Sequence, residues 1–460
     1  MKAPFDIPAD LDTPVSAFLK LKDFAPVFLL ESVTGGEQLG RYSFIGLGEA
    51  LRVRLDSEGL RVGDDVLPRP SDRNALMSAL RDAMGRAPVL AHDELNLPFR
   101  GGLVGAASYD VVRYFEDLPD TNAPSGLPDL SYVAPESVLV FDHLTRRAGV
   151  LHGGSDVARR ALSNNIAAAL RGPLPKAAGA ASVSAPSASI SEPDFLQHVS
   201  AAQEQIAAGN VYQLVLSICF SGKCDAHPFE VYRALRLLNP SPYMYYLSLD
   251  DTHVVGSSPE ALVTLNDGVA SLRPIAGTRP RSDDPDTDRA HGVDLSGDPK
   301  EIAEHVMLVD LARNDLGRVA RPGTVRVDPY RVIERYSHVM HLVSGVSGEL
   351  EPDYDAFDLF AAAFPAGTLV GAPKVKAMSL IDEVEPVRRG WYAGTVGYFG
   401  HGGSMDQAIA IRTMILRNGT YQFQAGAGIV ADSDPKSEYN EVLAKSQILR
   451  QALAMAEAGL

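Results

Sequence analysis

Between Asp298 and Arg318 the chain reads DPKEIAEHVMLVDLARNDLGR, and a helix over this stretch places Glu301, Glu304, His305 and Leu308 at i, i+3, i+4 and i+7 on one side. The first three can ligate a metal or move a proton, while Met307, Leu308, Leu311 and Ala312 supply apolar surface for packing on a sheet. Near the C-terminus the pattern returns: Glu438, Glu441 and Lys445 stand at i, i+3 and i+7, so two carboxylates and an ammonium share a face. Turned toward each other, two such helices can hold a hard divalent cation, which takes oxygen ligands, beside an anionic substrate. Taken alone, Glu and Lys at helical spacing more often mark a solvated face with modest ion pairs.

The chain that must position these residues has 460 residues, 45% hydrophobic and 22% charged. Such a chain buries a sizeable core, as about three domains or as one large mixed fold. A formal charge of -16 argues against a general nucleic-acid surface, so any anionic ligand has to be gripped locally. Two cysteines, Cys219 and Cys224, give no disulfide framework and fit a reducing compartment. The opening MKAPFDIPADLD lacks an apolar core followed by a cleavage site, and no apolar run reaches membrane-spanning length. A cytoplasmic location is the expectation.

Residues 24–55 read as strands, FAPVFLLES, RYSFIGLG and the alternating LRVRL, with Gly35 and Gly36 punctuating the first pair. A helix is expected at 72–85, a strand at 136–142 and an Ala-rich helix at 155–171. Residues 172–190, GPLPKAAGAASVSAPSASI, carry almost no bulky apolar side chain and read as a mobile linker. Three parts follow: an N-terminal α+β part at 1–171, the linker at 172–190, and a catalytic part at 191–460. In the last, Ser191 is a helix N-cap, and VYQLVLSICF, YMYYLSL, ALVTL, WYAGTVGYF, QAIAIRTMIL and YQFQAGAGIV read as strands. Helices are expected at 299–316, 355–364, 373–381 and 437–457. No short-period repeat is present.

The remaining chemistry lies after the linker. GSSPE and RPIAGTRPR each read first as turns between strands, and Gly426-Ala427-Gly428 as a tight backbone passage whose N–H groups can approach a carboxylate. Arg412, in the middle of a strand-like run, needs an anionic partner if buried. His341 and Tyr392 are each compatible with a plain core role.

Together these segments resemble the chorismate-utilising enzymes, most closely the anthranilate synthase component I group, from LLES at 29–32 to the last helix. The most specific pieces are NPSPYMYYL, GSSPE, RPIAGTRPR, KEIAEHVMLVDLARND, HVMHLVS, FPAGTLVGAPK, YAGTVGY, AIAIRT and GAGIVADSDPKSEYNE. One departure is SICF at 217–220, where a Gln-Arg pair is expected after the serine; the difference is expected to touch local surface contacts only. The resemblance implies a large α+β fold of mixed, mainly antiparallel sheets flanked by helices, in which the N-terminal and catalytic parts pack as one body. It implies Mg²⁺ bridging the chorismate ring carboxylate to Glu304 and Glu441, with Glu301 and Glu438 as outer acids. It assigns the enolpyruvyl carboxylate to Arg412 and the backbone of Gly426, Ala427 and Gly428, with Tyr392, Gly277, Thr278 and Lys445 completing the clamp. Glu260 takes the place of the general acid that protonates the departing C4 hydroxyl while ammonia adds at C2, and His341 assists the later loss of pyruvate. Such an acid must stay protonated near neutral pH, which burial favours.

Two positions separate close relatives. Those that add water at C2 place a lysine base where this chain has Gln213; those that make 4-amino-4-deoxychorismate carry a nucleophilic lysine where it has Ala276. Water needs deprotonation, ammonia does not, and alanine cannot attack the ring, so both substitutions point to anthranilate. The alternatives are 4-amino-4-deoxychorismate synthase and a catalytically silent tryptophan-binding regulator. Neither cysteine has the flanks of a glutaminase nucleophile, so a separate glutamine amidotransferase subunit is expected to deliver ammonia, and free ammonia should serve at raised pH. The resemblance also places a tryptophan inhibitor site at Ser32 and at Pro242, Tyr243 and Met244, on opposite sides of the linker.

Overall fold

Leu51–Asp56 alternates buried and half-buried residues, the period-two pattern of a sheet with one covered face. Gly102–Ala107, Leu130–Ala134 and Ser137–Asp142 are buried at every position, as strands covered on both faces must be. The structure, a computed structural model, describes residues 5–33, 40–90, 97–120, 122–176, 179, 181–336 and 339–460. Gly35, Gly36, His338 of the HVMHLVS segment and residues 177, 178 and 180 of the expected linker lie outside the described residues.

Within them the strands form sheets of 12, 11 and 3 strands. Both large sheets draw strands from either side of residues 172–190. In the first, Pro26–Glu31 pairs antiparallel with Tyr243–Leu249, Glu31 opposite Met244. In the second, Gly102–Ala107 pairs antiparallel with Thr395–Gly400, Val104 opposite Tyr398. The main core is shared in the same way, since Leu29, Ile45 and Leu139 belong to one buried cluster with Phe195, Met244 and Leu449. The architecture is α+β, with antiparallel sheets flanked by helices.

The expected helices form at Arg73–Arg86, Asp156–Leu170, Glu192–Ala207, Pro299–Gly317, Ala356–Ala363, Lys374–Val384 and Pro435–Ala458. Ser191 caps the third of them by accepting from Asp194 N. Three expectations need correction. From Ala181 on, the linker is pinned rather than mobile: Ser187–Ala188 pairs with Gln213–Lys223, Val183 bridges Cys224, and Val183 N donates to the Glu457 carboxylate at 3.0 Å. Sheet-edge pairing gave this polar segment partners that its composition does not advertise. The QAIAIRTMIL run is two strands, Met405–Ile409 in one large sheet and Thr413–Arg417 in the other, and Arg412 sits at the crossing with φ +49°. Finally, Ile218, Cys219 and Phe220 of SICF are buried, so the departure there falls in the core: Phe220 stacks on Phe423 with ring centroids 5.4 Å apart.

Candidate active site

The two acidic helices begin alike. Asp298 accepts from the backbone N–H groups of Lys300 and Glu301 at 2.9 and 3.3 Å, Asp434 accepts from Ser437 N at 2.8 Å, and a proline follows each cap. These caps fix Glu301 and Glu304 in the opening turns of Pro299–Gly317, and Glu438 and Glu441 in those of Pro435–Ala458. Glu301 is held by Arg279, which also grips Asp298 at 2.8 Å. Glu304 is left with a weak bond from Gln213 Nε2 at 3.4 Å. Burial raises its pKa, the charges of Glu301 and Glu441 raise it further, and Gln213 opposes them. Glu438 is raised by burial and by Glu441 as well. The helices therefore present mutually repelling carboxylates to one space, relieved by Lys445, which bonds Glu441 at 2.7 Å and the Gly426 carbonyl at 3.1 Å. His305 departs from this face: it is buried, hydrogen-bonds Ser344 Oγ through Nε2 at 2.7 Å, and burial lowers its pKa to about 4. It is a core histidine, not part of the acidic face.

Gly426, Ala427 and Gly428 lie in Thr420–Ile429 opposite Ser217, Leu216 and Val215 of Gln213–Lys223. A Cβ on Gly426 would stand 2.7 Å from the Tyr392 hydroxyl and 2.8 Å from the Leu216 carbonyl, and one on Gly428 2.8 Å from Gln213 Nε2. Only glycine allows the phenol and the amide to close on this strand. Tyr392 is buried, and burial keeps its phenol protonated. Gln213 thereby touches both the glycine strand and Glu304.

The three-stranded sheet supplies another wall. Gly277 has φ +65°, and Thr278 pairs in register with His341. His341 Nδ1 lies 2.9 Å from the Gly277 carbonyl. A carbonyl only accepts, so Nδ1 carries the hydrogen and Nε2 keeps its lone pair. Burial lowers the His341 pKa, the Gly277 carbonyl opposes this, and the charge of Arg412 lowers it further, so the ring is neutral. Arg412 itself is held in the left-handed region, a sparsely populated conformation for a non-glycine residue. Burial lowers its pKa, and among the described residues its guanidinium has no hydrogen-bonded or ion-paired partner.

Glu260 follows Thr252–Ser258, its carbonyl accepting from Ile409 N at 3.0 Å, just before the chain reaches Arg412. Burial pushes its carboxyl up to about 7, against a bond from Thr368 Oγ1 at 3.3 Å. A neutral acid, an unpartnered guanidinium, a glycine-lined strand and a carboxylate pair can together hold a small dianion and protonate a leaving group.

Ser32, Pro242, Tyr243 and Met244 line a cavity of about 840 Å³, beside the paired strands Pro26–Glu31 and Tyr243–Leu249, that also reaches Pro259 and Ala261 on either side of Glu260. Asp406 also lines it, its carboxyl pushed up to about 7 by burial and bonded by Tyr243. Asp406, Thr368 and the Glu385–Arg389 pair were not legible as site components. Thr368 stood inside the FPAGTLVGAPK segment, but nothing in its type pointed to an acid 108 residues away.

A family profile described as chorismate binding enzyme matches residues 25–451. The chain is 46% identical over 459 residues to anthranilate synthase component 1 of Thermus thermophilus, covering 98% of this chain and 97% of that protein. It is 43% identical over 482 residues to the protein of that name in Acinetobacter calcoaceticus, covering 98% and 95%. The crystal structure of anthranilate synthase component I from Streptococcus pneumoniae TIGR4 superposes with a TM-score of 0.80 at 34% identity, covering 98% of this chain and all of that one. The chain belongs to the chorismate binding enzyme family, among its anthranilate synthase component 1 members.

Proposed function

We propose that this protein converts chorismate and ammonia to anthranilate, pyruvate and water, with ammonia supplied from glutamine by a separate amidotransferase subunit, in the cytoplasm. The observation that carries the reading is Glu260, a carboxyl that burial holds at about 7, so that a substantial share of it keeps its proton at neutral pH where an ordinary carboxyl has lost it. Its proton goes to the C4 hydroxyl, which leaves as water while ammonia forms the C–N bond at C2. Loss of the C2 proton and of the enolpyruvyl group as pyruvate then gives the aromatic ring, with neutral His341 assisting that elimination. Arg412, the N–H groups along Gly426–Gly428, Tyr392, Thr278 and Lys445 bind the substrate's carboxylates. Gln213 and Ala276, neither a base nor a nucleophile, favour anthranilate over the hydroxylated and 4-amino products.

Glu304 and Glu441 would hold Mg²⁺. They fit it: their mutual repulsion is what a divalent cation relieves, and Mg²⁺ is commonly held by one or two carboxylates with substrate and water completing its octahedron. No group of three or more His, Cys, Asp or Glu suited to a metal occurs among the described residues. When bound, the ion supplies the countercharge for the ring carboxylate. Tryptophan, as distal product, would bind at Ser32, Pro242, Tyr243 and Met244 and inhibit. Purified chain given chorismate, Mg²⁺ and ammonium should generate anthranilate fluorescence; a hydroxylated or 4-amino product instead would overturn the reading.

A further inference from the structure

A buried charge pair, Glu385 and Arg389, lies behind the glycine strand. Arg389, 2% exposed, donates to both carboxylate oxygens of Glu385 at 2.9 and 2.7 Å, to the Leu369 carbonyl at 2.6 Å and to the Val215 carbonyl at 2.8 Å. Its guanidinium carbon stands 5.6 Å from the centre of the Tyr392 ring and 5.1 Å from that of Tyr109. Glu385 Oε1 accepts in turn from Ser217 N at 2.9 Å and Ser217 Oγ at 2.6 Å, and Gln424 Nε2 donates to that hydroxyl at 2.8 Å. Neither Glu385 nor Arg389 is free to meet a ligand, because their hydrogen-bonding groups are spent on protein.

The partners are informative. Val215 is the residue opposite Gly428, and Ser217 the residue opposite Gly426, so the pair holds the neighbouring strand at both ends of the glycine stretch. Leu369 follows Thr368, whose hydroxyl reaches Glu260. Tyr392, which closes on Gly426, lies under the guanidinium and donates its backbone N–H to the Arg389 carbonyl at 3.1 Å. Three parts of the site that come from distant stretches of sequence thus meet at one planar fork.

We propose that the Glu385–Arg389 pair is a positioning device that fixes the carboxylate cradle and the Glu260 acid relative to each other. The inference rests on the assignment of Glu260 as acid and Gly426–Gly428 as cradle. An arginine suits the task because its rigid fork reaches a carboxylate and two carbonyls at once; a lysine keeps the charge and one bond. Misplacing reacting groups by about 1 Å can cost about 100-fold in rate.

Arg389→Lys is the test, in the complete enzyme with Mg²⁺ and ammonium, scored by circular dichroism, by KM for chorismate and kcat, and by the alkaline limb of kcat against pH at fixed free ammonia. The expected result is a folded protein with KM raised and kcat lowered, each by about 10-fold or more. The alkaline limb should also move to higher pH, since loosening Thr368 removes a bond that lowers the Glu260 pKa. A merely structural role would lower thermal stability and leave KM, kcat and the limb at wild-type values, which overturns the proposal. Should Arg389→Lys fail to fold, Ser217→Ala removes only one hydroxyl bond to Glu385, and a wild-type KM in that variant likewise overturns it. Glu260→Gln, run in parallel, separates the two readings: if it retains full kcat, the acid assignment has failed; if it is inactive while Arg389→Lys is unaffected, only the positioning proposal has.

Discussion

Two clusters of charge within this body are built on opposite terms. Around Glu385 and Arg389 the carboxylate and guanidinium are matched by each other, by two carbonyls and by Ser217, at hydrogen-bond distances throughout. Around Glu304, Glu441 and Arg412 the matching is incomplete: Lys445 pairs with Glu441, but burial and the charges of Glu301 and Glu441 raise the Glu304 pKa, and the Arg412 guanidinium has no partner among the described residues. Burying an unmatched charge costs free energy that folding alone does not return. The first cluster is satisfied within the fold itself, whereas the second leaves charge that a ligand could meet.

The contrast is broken most severely by Glu304→Gln or Glu441→Gln. Either should abolish anthranilate formation, because a divalent ion loses one of two protein carboxylates, yet leave the melting temperature unchanged or higher as repulsion is relieved. Calorimetry beside the fluorescence assay checks both halves; full activity of these variants in the presence of chelator would contradict the assignment. Arg389→Ala should do the reverse to stability, costing about 3–5 kcal/mol by leaving the Glu385 carboxylate buried without its countercharge, measurable by denaturant unfolding. Glu260→Gln should lower kcat by about 10²- to 10⁴-fold, the usual worth of a positioned acid. Its carboxyl, raised in the folded state, makes stability fall as pH rises from about 4.5 toward 7, so the same variant should melt higher than wild type at pH 8 and equal to it at pH 4.

A smaller effect sharpens the comparison at the 840 Å³ cavity. Ser32 directly follows the strand Pro26–Glu31 before the linker and Met244 lies in the strand after it that pairs with Pro26–Glu31, so a ligand there would bear on the seam between them. Ser32→Arg or Met244→Thr should relieve tryptophan inhibition with little change in uninhibited rate. Couplings of about 1–3 kcal/mol are typical, and reciprocity requires chorismate to weaken tryptophan binding by the same factor. Titration calorimetry of tryptophan with and without chorismate measures that factor directly.

What the sequence made legible were the features carried by local spacing: the acidic faces of Pro299–Gly317 and Pro435–Ala458, the cap at Ser191 and the alternation of Leu51–Asp56. What it hid were features made by distant pairing. Arg412 read as a strand interior because AIAIRTMIL is continuously apolar on either side, and only the change of sheet at Ile409–Thr413 places it at a crossing. Glu385 and Arg389 stand four apart, but Pro386 prevents a continuing helix, and both find further partners on the single strand Gln213–Lys223, at Val215 and Ser217. His305 shared its helical spacing with Glu301 and yet turned inward, because Ser344 of the three-stranded sheet's flank offered it a partner.

The central claim is that Glu260 is the acid and that burial lifts its pKa to about 7, so that it still carries a proton in a substantial share of molecules at neutrality. It is tested most directly by kcat against pH between about 5.5 and 9 at constant free ammonia and saturating chorismate and Mg²⁺. A carboxyl held at about 7 predicts full activity at the acid end of that range, where the group carries its proton, and a decline as pH rises through about 7. The residual rate of Glu260→Gln should show no such limb. A flat wild-type profile across the range, or the same limb in Glu260→Gln, would contradict the account.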